Sequence, residues 1–243
     1  MSPEEFVIKV TDAYKSYKGI FKNHKNAENL APEGSEQFKS LFLFYVIQLD
    51  YATKSQRLYE GARTLISKNP SFFIPNNIVN TDEETLRTTL TNYLHPRYIN
   101  EAVLRYKTNS QVLETSYEGN PINIFKNADS IKVIEKRIKD FRGFGPKIGN
   151  FFIRTMINTF NFQFNDIELM LPPVDIHDVR IAYLMGFIET MDMTQKNIMK
   201  TKLLWSAACK KSKVSWLDFD KALWLLGSEG TPKTKDDILK LIS

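Results

Sequence analysis

Apolar side chains recur along this chain at three- and four-residue intervals. Phe38, Leu41, Phe42, Tyr45 and Leu49 form one such stripe. Ile131, Ile134, Ile138 and Phe141 form a second, and Ile148, Phe151, Phe152, Thr155, Met156 and Thr159 a third. That spacing keeps side chains on one face of an α-helix. Sustained alternation with hairpin turns, the mark of half-buried strands, is missing, and so is any internal repeat. The C-terminal third reads as helices over roughly 194–210, 215–226 and 234–242. The pattern predicts an all-α protein of about ten helices.

Turn signals punctuate the stripes. Pro32-Glu33-Gly34 precedes the first strong helix, and Asn69-Pro70, Pro75-Asn76-Asn77 and Glu118-Gly119-Asn120-Pro121 mark loops. Thr81, followed by Asp82, Glu83 and Glu84 and then by Leu86, makes a good helix start. Residues 161–173, NFQFNDIELMLPP, form a longer connection ending in Pro-Pro. No flexible linker separates halves, so residues 1–243 are expected to form one unit of two helical lobes sharing an interface.

At 243 residues and 42% hydrophobic, the chain can bury a sizeable core and is not wholly disordered. Ten Gly and ten Pro exclude collagen-like material. The longest apolar run, Leu41 to Leu49 with Gln48 inside it, falls short of the ~18–20 residues of a membrane span. The start, MSPEEFVIKV, carries two glutamates and no apolar signal core, so an intracellular protein is expected, with no membrane partner. A lone Cys209 excludes an intrachain disulfide and any Cys-built zinc or iron–sulfur site. No cofactor or metal is implied.

The net charge of +5 gains meaning where it concentrates. Between Ile131 and Lys147 stand Lys132, Lys136, Arg137, Lys139, Arg142 and Lys147 against only Glu135 and Asp140. Between Met193 and Trp216 there is no acid but Lys196, Lys200, Lys202, Lys210, Lys211 and Lys213. Either run alone reads as a solvated helix face; two of them flanking one motif suggest a phosphate-binding surface.

That motif is IKDFRGFGPKIGNFFIRT, residues 138–155. A basic helix runs into Gly143-Phe144-Gly145, and Pro146 opens a second helix at once. Glycines allow a tight turn and close approach of another backbone, and proline suits the first helical position. The new helix offers N–H groups and the positive end of its dipole, a cradle for a phosphate. Lys147 could serve phosphate contact alone, and Phe144 could anchor the two helices. A second cluster, PPVDIHDVRIAYLMG over residues 172–186, places Asp175 after Pro-Pro, where it would cap a helix. His177 could orient a neighbour or merely pack, and Arg180 could pair within the fold or meet a phosphate. No third and fourth ligand stand near His177 and Asp178 at metal-binding spacing.

Gly143-Phe144-Gly145-Pro146-Lys147 resembles the helix-hairpin-helix motif of DNA-binding proteins, here within residues 131–160. Val174-Asp175-Ile176-His177-Asp178-Val179-Arg180-Ile181, within 161–190, resembles V-D-x-H-x-x-R-[VI], the second signature of the helix-hairpin-helix/Gly-Pro-Asp base-excision DNA glycosylases. In that superfamily the two signatures occur in this order. The resemblance implies an all-α fold with a cleft between two lobes, duplex DNA containing a damaged base as partner, and a monomer. Lys147 and Asp175 stand at the positions of its catalytic residues and should face that cleft. Gly143, Phe144, Gly145, Lys136, Arg137 and Arg142 would contact DNA. Gln48 or Tyr51 falls where the family places residues that fill the vacated stack or touch bases; core packing is the other reading of Tyr51. Trp205, Trp216 and Trp224 read as core.

A lysine two residues past the second glycine marks the bifunctional members, which excise a base and then cleave the strand by β-elimination. Lys147 and Asp175 are 28 residues apart, longer than in the endonuclease III type. That spacing, and the single cysteine, are most like the archaeal 8-oxoguanine glycosylase/lyases. Gly143 to Pro146 equally resembles the 3-methyladenine branch. The expected function is a DNA N-glycosylase with apurinic/apyrimidinic lyase activity, 8-oxoguanine being the first candidate base. Excision of an alkylated or deaminated base, or non-catalytic DNA binding, are the other readings.

Overall fold

The computed structural model describes residues 1–23, 31–51 and 53–243. Those residues form twelve α-helices and no strand, as the apolar period predicts. In chain order the helices are α1 Pro3–Lys15, α2 Glu36–Ile47, α3 Ser55–Lys68, α4 Pro75–Asn80, α5 Glu83–Thr89, α6 Ile99–Tyr117, α7 Ile131–Ile138, α8 Pro146–Phe160, α9 Ile176–Leu184, α10 Gln195–Ser212, α11 Trp216–Ser228 and α12 Lys235–Leu241. Helix α1 lies before the first strong apolar stripe. Its start is written in Ser2 and Glu5, which form a reciprocal capping box: the Glu5 amide donates to the Ser2 hydroxyl (3.2 Å) and the Ser2 amide to the Glu5 carboxylate (2.7 Å). No described helix is long and apolar enough to cross a membrane.

The chain divides into two compact units: Ala27–Asn165, and Met1–Asn26 together with Asp166–Ser243. The division falls inside the long connection of residues 161–173.

In the unit Ala27–Asn165, α2 is the axis. Every residue from Ser40 to Ile47 is buried, which places this helix among neighbours on all sides. It packs on α8 and α3. The Phe44 ring is 5.1 Å from Phe141, 5.3 Å from Phe144 and 5.7 Å from Phe152, an aromatic cluster that joins α2 to the glycine turn and to α8. Each such pair adds about 0.5–1.5 kcal/mol beyond its buried area. Burial pushes the hydroxyls of Tyr45 and Tyr106 well above the ordinary tyrosine range. They stay neutral and hydrogen-bonded, Tyr45 with Ser110 (2.6 Å) and Tyr106 to the Tyr45 carbonyl (2.8 Å).

The other unit is built around Phe6 of α1, whose ring meets Trp205 of α10 (5.8 Å), Phe187 (5.9 Å) and Phe219 of α11 (6.4 Å). Trp205 and Trp216 are buried, and the Trp216 indole donates to the Ile167 carbonyl (3.1 Å). Trp224 is half-buried. Helices α9 and α11 approach closely at Gly227, where a Cβ would lie 2.7 Å from the Cβ of His177. Arg180 crosses the same contact and donates to the Gly227 carbonyl.

That contact has no room for a methyl group. Gly227→Ala is expected to force α9 off α11 and to destabilise the protein by roughly 1–3 kcal/mol in a urea titration. A loss below about 0.5 kcal/mol, the usual range of a surface substitution, would show that the contact is loose.

Candidate active site

The glycine turn is built as its sequence demands. Helix α7 ends at Ile138, and the chain turns through Phe141 and Phe144, whose rings are buried. Gly143 adopts a φ of +84°, a conformation that L side chains rarely take. A Cβ there would also lie 2.6 Å from the Arg105 guanidinium behind it. Gly145 is extended and is the N-cap of α8, and no side chain caps this helix start. A Cβ on Gly145 would meet nothing within 4 Å. The outer side of the turn is therefore bare backbone, Pro146 opens the helix, and Lys147 follows as its second residue, half-buried. Such a helix start favours an anion.

Buried polar groups hold this turn from behind. Asn109 of α6 is wholly buried, and its carboxamide grips the backbone of Arg142 at both ends. The Arg142 amide donates to Asn109 Oδ1 (2.8 Å), and Asn109 Nδ2 donates to the Arg142 carbonyl (3.0 Å) and to Gln48 Oε1 (2.9 Å). Arg105 donates from Nη1 to the Gln48 carbonyl (3.1 Å) and from Nε to Glu101 (2.9 Å). Arg142 closes the circuit with a two-pronged pair to Glu101, Nε to Oε1 and Nη2 to Oε2, each 3.0 Å. The two guanidiniums, Arg142 first, hold the Glu101 carboxyl below the usual range.

These contacts revise several expectations. Gln48, expected to border the vacated stack, is wholly buried, and its carboxamide serves Asn109. Tyr51 is 52% exposed and is not core. Phe144, expected at DNA, is 5% exposed with its ring stacked on Phe44, so its side chain is not offered to a strand. Arg137 spends Nη1 on the carbonyls of Ile124 (2.7 Å) and Lys126 (2.8 Å), a brace between α7 and the preceding loop. Lys132, Lys136 and Lys139 are exposed. The second basic run is not one face: Lys202 is buried, with its ammonium pushed down by desolvation, while Lys200 pairs with Glu189 (3.4 Å) and Lys211 with Glu4 (3.2 Å).

In the other unit, Asp175 is the N-cap of α9. Its Oδ1 accepts from the His177 amide (2.7 Å), and its own amide donates to Asp178 Oδ2 (2.6 Å), a reciprocal box. The capping donors fix the Asp175 carboxylate at the positive end of the helix dipole. His177 lies against α11 at Gly227, and its Nδ1 is 3.2 Å from Arg180 Nη2, so both residues serve helix packing here. Asp178 is 2% exposed, and its Oδ1 has no hydrogen-bond partner. Burial, and then the nearby carboxylates of Asp175 and Asp220, push its carboxyl well above the usual range. Among the described residues no group of three or more His, Cys, Asp or Glu could hold a metal ion.

Sequence reasoning missed Glu101, Arg105 and Asn109. Their signal was a polar stripe at four-residue spacing on one face of α6, the face that also carries buried Ala102, Tyr106 and Leu113.

The sequence matches no protein-family model and no curated protein sequence. Among solved structures the chain is similar to the 8-oxoguanine glycosylase/lyase of Methanocaldococcus jannaschii, whose crystal structure is of a complex with a 15-mer DNA containing 8-oxoguanine. The match covers 95% of this chain and 93% of that one, at a TM-score of 0.54 and 17% identity. At that identity the likeness is one of fold.

Asp178 gives this site a pH signature. Its folded-state value lies above the ordinary 3.8, so protonation favours the fold. The stabilisation is complete below that ordinary value and is lost as the pH climbs toward the folded one. Asp178→Asn mimics the neutral acid and is expected to raise the melting temperature at neutral pH, roughly 2–4 °C for each kcal/mol relieved. The two melting curves should converge near pH 4, the ordinary aspartate range. A variant less stable than wild type at neutral pH would show that Asp178 is needed as an anion.

Proposed function

We propose that the protein is a DNA N-glycosylase with lyase activity, acting on an oxidised purine in duplex DNA, with 8-oxoguanine the leading candidate. The observation that carries the reading is that both motif positions occupy helix starts on a fold similar to that of a glycosylase/lyase. Lys147 is the second residue of α8, behind an open glycine turn, and Asp175 is the N-cap of α9.

In this reading the glycine turn binds a strand phosphate through backbone N–H groups, and exposed lysines such as Lys136 add sequence-independent attraction. The damaged nucleotide leaves the base stack, because its anomeric carbon is out of reach inside the duplex. As the N-glycosidic bond stretches, positive charge grows on the sugar. A carboxylate held in place by its capping donors stabilises that charge, the role of Asp175. The amine of Lys147 attacks C1′ and gives up a proton, the bond electrons leave with the base, and the base gains a proton. Opening of the sugar ring gives a Schiff base on Lys147. Loss of a C2′ proton then expels the 3′ phosphate and cuts the strand.

Borohydride reduction should trap a covalent complex of wild type with an 8-oxoguanine duplex, and Lys147→Gln should trap none. Equal trapping by the variant would remove Lys147 as nucleophile. A panel of single-lesion duplexes, scored for both base release and strand scission, separates 8-oxoguanine from alkylated or deaminated bases. No reaction with any lesion, despite tight binding, would leave a DNA-binding protein.

Capping and catalysis separate at Asp175. Asn caps a helix about as well as Asp but brings no charge. Asp175→Asn is expected to melt within a degree or two of wild type. Base release should nonetheless fall by roughly 100-fold or more in single-turnover assays, the usual scale for a lost charge-stabilising group. Unchanged release would assign Asp175 to capping alone.

A further inference from the structure

We propose that Arg142 is an exchangeable phosphate ligand: Glu101 holds its side chain in the DNA-free protein, and a strand phosphate arriving at the glycine turn takes the place of Glu101. The inference rests on the reading of that turn as a phosphate-binding element, and it adds the device that governs when the adjacent arginine engages.

Four observations carry it. First, Arg142 immediately precedes Gly143, and its side chain is 51% exposed, at the edge of the bare backbone that would receive the phosphate. Second, its main chain cannot drift, since Asn109 grips both its amide and its carbonyl. What can move is the side chain alone. Third, the two 3.0 Å bonds to Glu101 use the guanidinium fork, and a phosphate presents two oxygens that fit the same fork. A half-exposed ion pair is weak enough to be exchanged.

The fourth observation is that Glu101 has a second, permanent counter-ion. Arg105 donates to it at 2.9 Å, is held in turn by the Gln48 carbonyl at 3.1 Å, and lies against Gly143. When Arg142 swings out, the carboxylate keeps a cation beside it and no buried charge is orphaned. The arrangement also screens ligands. A passing anion must compete with Glu101, whereas a phosphate already on the helix start has the exchange within reach.

The test is a double-mutant cycle read by fluorescence anisotropy on an undamaged duplex over a series of salt concentrations, with melting temperatures taken alongside. Arg142→Gln is expected to weaken binding and to lower the log–log salt slope by about one. Glu101→Gln should tighten binding roughly 2–5-fold, the weight of one exposed ion pair. In the Arg142→Gln background that gain should vanish. An equal gain in both backgrounds would show that Glu101 acts only as a repelling charge, and an unchanged slope in Arg142→Gln would show that the arginine never reaches a phosphate; either overturns the exchange.

A second measurement does not depend on how the variants fold. In the unmodified protein the Nε–H proton signal of Arg142 should shift as duplex is added while that of Arg105 holds still. Joint movement, or none, overturns the exchange. Absence of any duplex binding by wild type would overturn the phosphate-binding reading together with it.

Discussion

The glycine turn depends on one buried carboxamide. A turn that leaves its outer side bare for a ligand cannot use that side for its own support, so its backbone groups must be satisfied from within. Asn109 does this for Arg142, accepting from its amide and donating to its carbonyl as a neighbouring strand would. Its remaining donor goes to Gln48. In a low-dielectric interior such a network is rigid when complete and costly when broken. The open outer face of Gly145 and the saturated inner face of Arg142 are two sides of one arrangement. Charge follows the same division: the Arg105 guanidinium occupies the space that a Cβ on Gly143 would claim, and it neutralises Glu101 from behind.

The aspartate-bearing helix solves a different problem with similar means. Asp175 is fixed by the backbone donors of the helix that it caps. The reciprocal partner in the capping box is also an aspartate, and it is buried. Two carboxylates so placed cannot both ionise without loss, and burial decides which one keeps its proton. Asp178 is the group driven toward the neutral form. Gly227 and Arg180 then lock this helix against α11, which fixes the direction in which the cap points.

The helical class was legible because apolar periodicity is a property of local sequence. The stripes at Ile131–Ile138 and Ile148–Thr159 became α7 and α8, and the helix start expected at Thr81 lies one residue on, with Asp82 as the cap of α5. Helix α1 was legible too, in Ser2 and Glu5, but a short capping signature without a strong apolar stripe is easily passed over. The glycine turn and the helix start at Asp175 could be read for the same local reason. What could not be read was depth. Gln48 and Tyr51 are three residues apart, yet one is wholly buried and the other exposed, because Gln48 caps the end of α2 and Tyr51 lies beyond it. Arg137 and Lys136 are adjacent cations, but Arg137 turns inward to two carbonyls supplied by a loop ten or so residues upstream. Partners distant in the chain decide such matters, and no run of charges announces them.

The second basic run makes the same point about electrostatics. Six lysines without an acid between Met193 and Trp216 suggest a uniform positive face. In the structure one of them, Lys202, is enclosed, and two others meet glutamates brought from Glu4 and Glu189. Folding imports the missing acids, so this run's effective charge is smaller than its composition implies. Around the glycine turn the imported acid is Glu101, and there its position matters more than its sign. It touches the arginine beside the bare backbone and leaves Lys132, Lys136 and Lys139 exposed. In the proposed reading, exposed lysines would attract a polyanion over a distance and a guarded arginine would meet it at contact, which separates attraction from engagement. Long-range steering needs only net positive potential, while contact rewards a ligand that can satisfy the helix start and the guanidinium together.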